Sequence, residues 1–191
     1  RTNPAIGCKL PPKKAKEMQV LDREELQKFL IQAQADGYYE LFLLDLCTGL
    51  RRGELIALQW EDLNFETGVL TVNKQAYTVN GELQIILPKT KASMRKLVLP
   101  PAVLAVLREY HKKVDSRWMF PSPVKADRPI TPGVARRRLQ TILERADCKR
   151  VRFHDLRHTF ATLALENGMD VKTLSAMLGH VSAVTTLDIY T

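Results

Sequence analysis

Three clusters of polar side chains in this 191-residue chain are spaced for work on a phosphate. In Thr48-Gly49-Leu50-Arg51-Arg52-Gly53-Glu54-Leu55, two arginines stand where a short helix is predicted to begin. A cation at a helix start opposes the helix dipole, so the position is poor on stability grounds alone. The free N–H groups of such a start, together with guanidinium groups, suit an anion. Glu54, three residues after Arg51, is within reach to hold that side chain in place. In Phe153-His154-Asp155-Leu156-Arg157-His158-Thr159-Phe160, His154 and Arg157 fall on one helix face. An imidazole beside a guanidinium can bind one phosphate and move protons around it. Near the end, His180 follows a helix stop at Gly179, and Tyr190 comes ten residues later. A phenol, with a pKa of about 10, is a poor nucleophile at neutral pH. It becomes a competent one when cations stabilise the phenolate or the transition state, and this chain offers such cations.

Each cluster also has a plain structural alternative. Arg51-Arg52 reads as an exposed basic turn with one ion pair, His154 and Arg157 as a solvated helix face, His158 as a buried histidine, and Tyr190 as packing. What is missing narrows the chemistry. The chain has no GxxxxGK[ST] loop, no GxGxxG after a strand, no HExxH and no acidic cluster at metal-binding spacing, so neither a cofactor nor a metal is expected. Cys8, Cys47 and Cys148 form no CxxC pair and have no histidine at ligand spacing, which reads as reduced thiols in a cytoplasmic protein. If the reaction is at phosphate, side-chain cations must supply the charge stabilisation.

The elements that must position these residues are legible from periodicity. Residues 1–20, with Pro4, Pro11-Pro12 and several lysines, read as a linker. Asp22 and Glu25 make a capping box ahead of Leu26, Phe29, Leu30 and Ala33, and Gly37 ends that helix. A second helix over Tyr39–Thr48 stops at Gly49, and a third covers Glu54–Leu58. Val69–Val72, Leu83–Leu87 and Lys96–Leu99 are short β-type runs, with Asn80-Gly81 as the hairpin turn between the first two. Lys89 to Arg95 is a polar loop before the third run. Further helices are expected from Pro101, over Thr131–Ala146, Asp155–Asn167, Asp170–Leu178 and Ser182–Tyr190. The expected fold class is α+β: one mainly helical domain with a small three-stranded antiparallel sheet.

Composition sets the broad class. Hydrophobic residues make up 45% and charged residues 26%, as in ordinary globular domains. No apolar run approaches the roughly 20 residues of a membrane span, so no membrane partner is expected. Twenty-nine Lys and Arg against 21 Asp and Glu give a net charge of +8, which favours a polyanionic partner.

Five segments, TGLRRGEL, KTKASMRKLVLP, HDLRHTFAT, LGH and TTLDIYT, stand in an order and at spacings that resemble the catalytic domain of tyrosine recombinases, especially integrases of phages and conjugative transposons. The likeness spans nearly the whole chain after the linker. It implies that Arg51 is the first catalytic arginine, Lys89 the hairpin lysine, His154 and Arg157 the H-x-x-R pair, His180 the later histidine and Tyr190 the nucleophile. Lys91 shares the loop with Lys89 and is the other candidate for the lysine. Glu54 resembles an acidic residue that supports the first arginine; Arg52, Asp155 and His158 are left as structural or DNA-contacting. The resemblance further implies a catalytic domain over 21–191, with the family's N-terminal core-binding domain and C-terminal exchange tail outside this chain. Its expected partners are double-stranded DNA attachment sites, three further copies in a homo-tetramer on DNA, and accessory DNA-bending or excision factors, in the cytoplasm of a bacterial or phage-infected cell. A type IB topoisomerase and a non-catalytic DNA-binding module are the alternatives.

Overall fold

A computed structural model describes residues 18–87 and 94–179. Helix α1 (Arg23–Ala35) begins at the expected capping box: the Asp22 carboxylate accepts from the Glu25 N–H at 2.9 Å, and Glu25 accepts from the Asp22 N–H at 3.0 Å. α1 packs on α2 (Tyr39–Thr48) through Phe29 and Phe42, whose rings meet edge-on at 5.1 Å. α3 (Arg52–Ile56) follows after three residues. The strands are β1 (Val69–Val72), β2 (Gln75–Val79), β3 (Glu82–Ile86) and β4 (Arg95–Val98). Helices α4 (Pro101–His111), α5 (Pro132–Arg145), α6 (Phe153–Glu166) and α7 (Val171–Leu178) complete the described chain.

The fold class stands, mainly helical with small antiparallel sheets, but the strand arrangement corrects the sequence reading. The described residues form two separate two-stranded sheets rather than one of three strands. β1 pairs with β4, Val69 opposite Val98, and β2 pairs with β3 across the Asn80-Gly81 turn. A two-residue turn needs its partner strand directly upstream. That strand is Gln75–Val79, not Val69–Val72. β2 escapes a pattern search because it buries only Ala76, while Tyr77, Val79 and, across the hairpin, Ile85 are exposed. Asn80 and Gly81 both take positive φ, 50° and 83°, as such a turn demands. Helix α3 begins two residues earlier than expected, at Arg52. The helix expected over Ser182–Tyr190 lies outside the described residues.

α6 is the central helix. An unbroken run from Asp155 to Ala161 is buried, because α6 packs against α2 on one side and α7 on another. Thr159 donates to the Asp155 carbonyl at 3.0 Å and accepts the Leu21 N–H at 3.2 Å, docking the entry to α1. Gly49 lies where α2, α6 and α7 meet. Its φ of +58° caps α2, and a Cβ there would run into the Phe160 ring and come within 2.8 Å of Leu178. No other residue type suits both the dihedral and the space. Among the described residues, no helix is long and apolar enough to cross a membrane.

Candidate active site

The site grows from two helix ends. α2 and α7 both finish in left-handed glycine caps, Gly49 and Gly179, which leave carbonyl groups pointing past each terminus. These carbonyls are the negative ends of the helix dipoles. Arg157, on α6 and 2% exposed, reaches both. Its Nη1 donates to Gly49 O and its Nη2 to Leu178 O, each at 2.7 Å. A guanidinium is a rigid planar fork, so two bonds in different directions fix its plane.

Arg51 is the N-cap of α3. Its Nη2 donates to Gly179 O at 3.3 Å, the carbonyl directly after the one held by Arg157. The two guanidinium groups therefore lie side by side at the end of α7. Glu54, 4% exposed, accepts from Arg51 N at 2.9 Å and from Arg51 Nη1 at 3.0 Å. The Arg51 N–H is thus already taken by Glu54, and an anion-binding role falls on the guanidinium rather than on the backbone here. Burial raises the Glu54 pKa, but hydrogen bonds from Arg95 and then the charges of Arg95 and Arg51 bring it below the usual value, so the carboxylate is ionised.

His154 stands in the first turn of α6, exposed, one turn before Arg157 and His158. Desolvation, followed by the charge of Arg157, lowers its pKa, leaving a neutral imidazole at pH 7. The His154 and His158 rings meet edge-on at 4.7 Å. His158 is buried, and desolvation with His154 beside it pulls its pKa down to about 4. Asp155 is occupied at the helix start, where it accepts from Arg152 N at 2.8 Å and Arg152 Nη2 at 2.7 Å. His158 and Asp155 are thus built into the packing of α6.

Of the six expected site residues, the structure brings Arg51, His154 and Arg157 together. Lys89, His180 and Tyr190, with Lys91, lie outside the described residues. Three features escaped the sequence reading. Arg95 is a second partner of Glu54. Asp45 on α2 is fully buried beside Arg157 and Glu54, and its carboxylate oxygens have no hydrogen-bond partner among the described residues. Burial raises its pKa well above the usual carboxylate value, against the pull of Arg157 and with the help of Glu54. Finally, a groove of about 960 Å³ beside His154 is lined by Arg52, Arg136, Arg137, Arg150 and Arg152. Burial, and after it the charge of Arg136, lowers the Arg52 pKa. The run Arg136-Arg137-Arg138 was the available signal, but a run cannot say which side chains share a face with residues 150 and 152. Arg138 in fact turns away to lie over the Tyr38 ring at 5.1 Å.

This fold belongs to a known class. Residues 19–191 match the phage integrase family. The chain belongs to that family, the tyrosine recombinases. It is 32% identical over 217 residues to a XerC-like tyrosine recombinase of Caldanaerobacter subterraneus subsp. tengcongensis, covering 99% of this chain and 56% of that protein. It is 27% identical over 202 residues to the ICEBs1 integrase of Bacillus subtilis, covering 100% and 55%. Its fold is that of the Tn1549 transposon integrase solved with transposon right-end DNA, with a TM-score of 0.83 at 24% identity over 95% of this chain and 64% of that one. The XerA recombinase crystal structure superposes with a TM-score of 0.73 at 26% identity, over 95% and 61%. The chain thus spans a little over half the length of the curated relatives. The topoisomerase and non-catalytic alternatives are not favoured by these matches.

Proposed function

We propose that residues 21–191 are a catalytic domain that cuts and rejoins DNA at the ends of a mobile element. Residues 1–20 act as the linker to a core-binding domain, and the active assembly is a tetramer on double-stranded attachment sites in the cytoplasm of a bacterial or phage-infected cell. Accessory DNA-bending or excision factors set the direction. Arg51 and Arg157 hold the non-bridging oxygens of the scissile phosphate, with His154 and His180 hydrogen-bonding there. Together they stabilise the added negative charge of the pentacoordinate transition state. The Tyr190 oxygen gives up its phenolic proton to solvent and attacks phosphorus, forming a 3′-phosphotyrosyl bond as the bond to the 5′-oxygen breaks, and Lys89 protonates the departing 5′-oxygen. Rejoining reverses these steps with the 5′-hydroxyl of a new strand. The phosphodiester energy is kept in the protein link, so no ATP is called for.

The observation that carries this reading is the pairing of Arg51 and Arg157 on consecutive carbonyls, Gly179 O and Leu178 O, with His154 on the same face of α6 as Arg157. Two pre-oriented cations, which need not reorganise during reaction, are what a phosphoryl transition state requires. The arginine groove beside them suits the flanking DNA backbone. The test is covalent capture. A pool of nicked suicide duplexes with randomised cores is incubated with the protein, and SDS-resistant adducts are recovered and sequenced. Enrichment of one core by the wild type, and no adduct with Tyr190→Phe, is expected. An adduct that survives in Tyr190→Phe, or none from any duplex, overturns the proposal.

A further inference from the structure

Strand β4 opens with a side chain to which the reaction scheme above gives no role. The Arg95 side chain is 7% exposed. Its Nη1 and Nη2 donate to Oε1 and Oε2 of Glu54 at 3.1 and 2.8 Å, and its Nε donates to Met177 O at 2.6 Å. The guanidinium also lies flat enough against Gly179 that a Cβ there would come within 3.1 Å of Nη1. Gly179 is therefore held on two sides: Arg51 bonds its carbonyl and Arg95 covers its Cα.

One buried carboxylate thus serves two arginines. Arg51 Nη1 and Arg95 Nη1 share the same oxygen, Oε1 of Glu54. The Arg95 fork fixes both carboxylate oxygens, and so fixes where Oε1 stands for Arg51. The Arg51 side chain, 43% exposed, cannot anchor a buried carboxylate by itself, because it gives only one side-chain bond to it and is open to water. The same Arg95 reaches the last turn of α7 and holds the cap whose next carbonyls receive Arg157 and Arg51.

We propose that Arg95 is a positioning residue: through Glu54 and the α7 cap it sets the orientation of the Arg51 guanidinium without touching the phosphate. This rests on the reading of Arg51 as a phosphate-binding group. Arg95→Lys keeps the charge and most of the stem but cannot span both carboxylate oxygens as a fork. With the selected duplex at saturation, its single-turnover rate of adduct formation should fall about ten- to a hundredfold, the scale of a misplaced catalytic group. Duplex affinity should stay within about threefold, since the ground state keeps its cations. In a Glu54→Gln background the same substitution should cost clearly less than it does in the wild type, because the carboxylate route is already broken and only the hold on the α7 cap is left to lose. A wild-type rate, a loss of affinity that matches the loss of rate, or effects that multiply in the double variant would each overturn the proposal.

A second readout does not depend on cleavage. The Arg51 side-chain N–H resonances, assigned through Arg51→Lys, should be resolved in the wild type and averaged by rotation in Arg95→Lys. Unchanged resonances defeat the positioning role. Resonances that change while Arg51→Ala cleaves normally defeat instead the phosphate-binding reading of Arg51. Arg95→Ala with added methylguanidinium is the second variant. Recovery of rate without a change in affinity supports the proposal, and a folded protein that does not recover overturns it.

Discussion

The Arg157 guanidinium donates to the Gly49 carbonyl at 2.7 Å, joining positions 108 residues apart and tying the end of α2 to the centre of α6. Its Nη2 donates to Leu178 O and so ties in α7. Arg157 is therefore a structural cross-brace as well as a candidate phosphate ligand, whereas Arg51 stands at the rim with its side chain 43% exposed.

That difference predicts a split. Arg51→Ala and Arg157→Ala should each reduce adduct formation far more than duplex binding, because both groups are assigned to a transition state with more charge than the ground state. Only Arg157→Ala should also unfold easily. It orphans two buried helix-end carbonyls, each bonded to a charged donor, at a cost of about 2–4 kcal/mol. Denaturant unfolding of the two variants beside the wild type measures this. Equal stability of the two would refute the brace.

The Arg-lined groove predicts a salt signature. Arg137→Ala and Arg150→Ala, both exposed, should leave the thermal midpoint nearly unchanged. Each should weaken binding to any duplex and flatten the plot of log affinity against log salt by about one unit. Anisotropy titrations across a salt series give the slopes. A variant with the wild-type slope removes that arginine from the DNA path.

His158 predicts a pH dependence of stability. Its folded pKa is about 4, against 6.5 when unfolded, so below 6.5 the unfolded chain binds the extra proton. The stabilisation is complete above pH 6.5 and is lost as pH falls toward 4, by on the order of 3 kcal/mol. His158→Gln should flatten that part of the curve, as unfolding free energies at several pH values would show.

Asp45 predicts the opposite slope. Its folded pKa is raised, so the native state keeps a proton that the unfolded chain releases. The associated stabilisation is fully present below the usual carboxylate pKa and is lost as pH rises through the folded value. Asp45→Asn cannot ionise, so its stability relative to wild type should increase steadily from pH 4 upward. A difference independent of pH would mean that Asp45 is ionised in the native protein.

Lys89 predicts a leaving-group effect. If it protonates the 5′-oxygen, Lys89→Ala should be slow on ordinary DNA and largely rescued when the bridging atom is sulfur, since a thiol, with a pKa of about 8.5, leaves without a proton. Arg51→Ala should show no such rescue. Rescue of Lys91→Ala instead would move the role two positions along, and rescue of neither would assign the proton to another donor.

Much of this was legible in the chain itself. Capping residues and glycine stops are local, so Asp22 with Glu25, Gly49, Asp170 and Gly179 marked the ends of α1, α2 and α7. The i, i+3 spacing placed Glu54 on Arg51 and set His154 on the same face as Arg157, as the structure has them. The ordered segments led to the right family. What the sequence could not determine is contact across long separations. Arg95 is 41 residues from Glu54, and nothing local distinguishes it from Lys96 beside it. Asp45 looks like one polar residue in an apolar helix until α6 brings Arg157 to it. The strand pairing was misread because β1 meets β4 through tertiary packing, while the hairpin beside it buries too little to announce β2. Local chemistry writes the elements and their caps into the sequence; which charges share a buried carboxylate or a pair of helix ends is decided only when those elements pack.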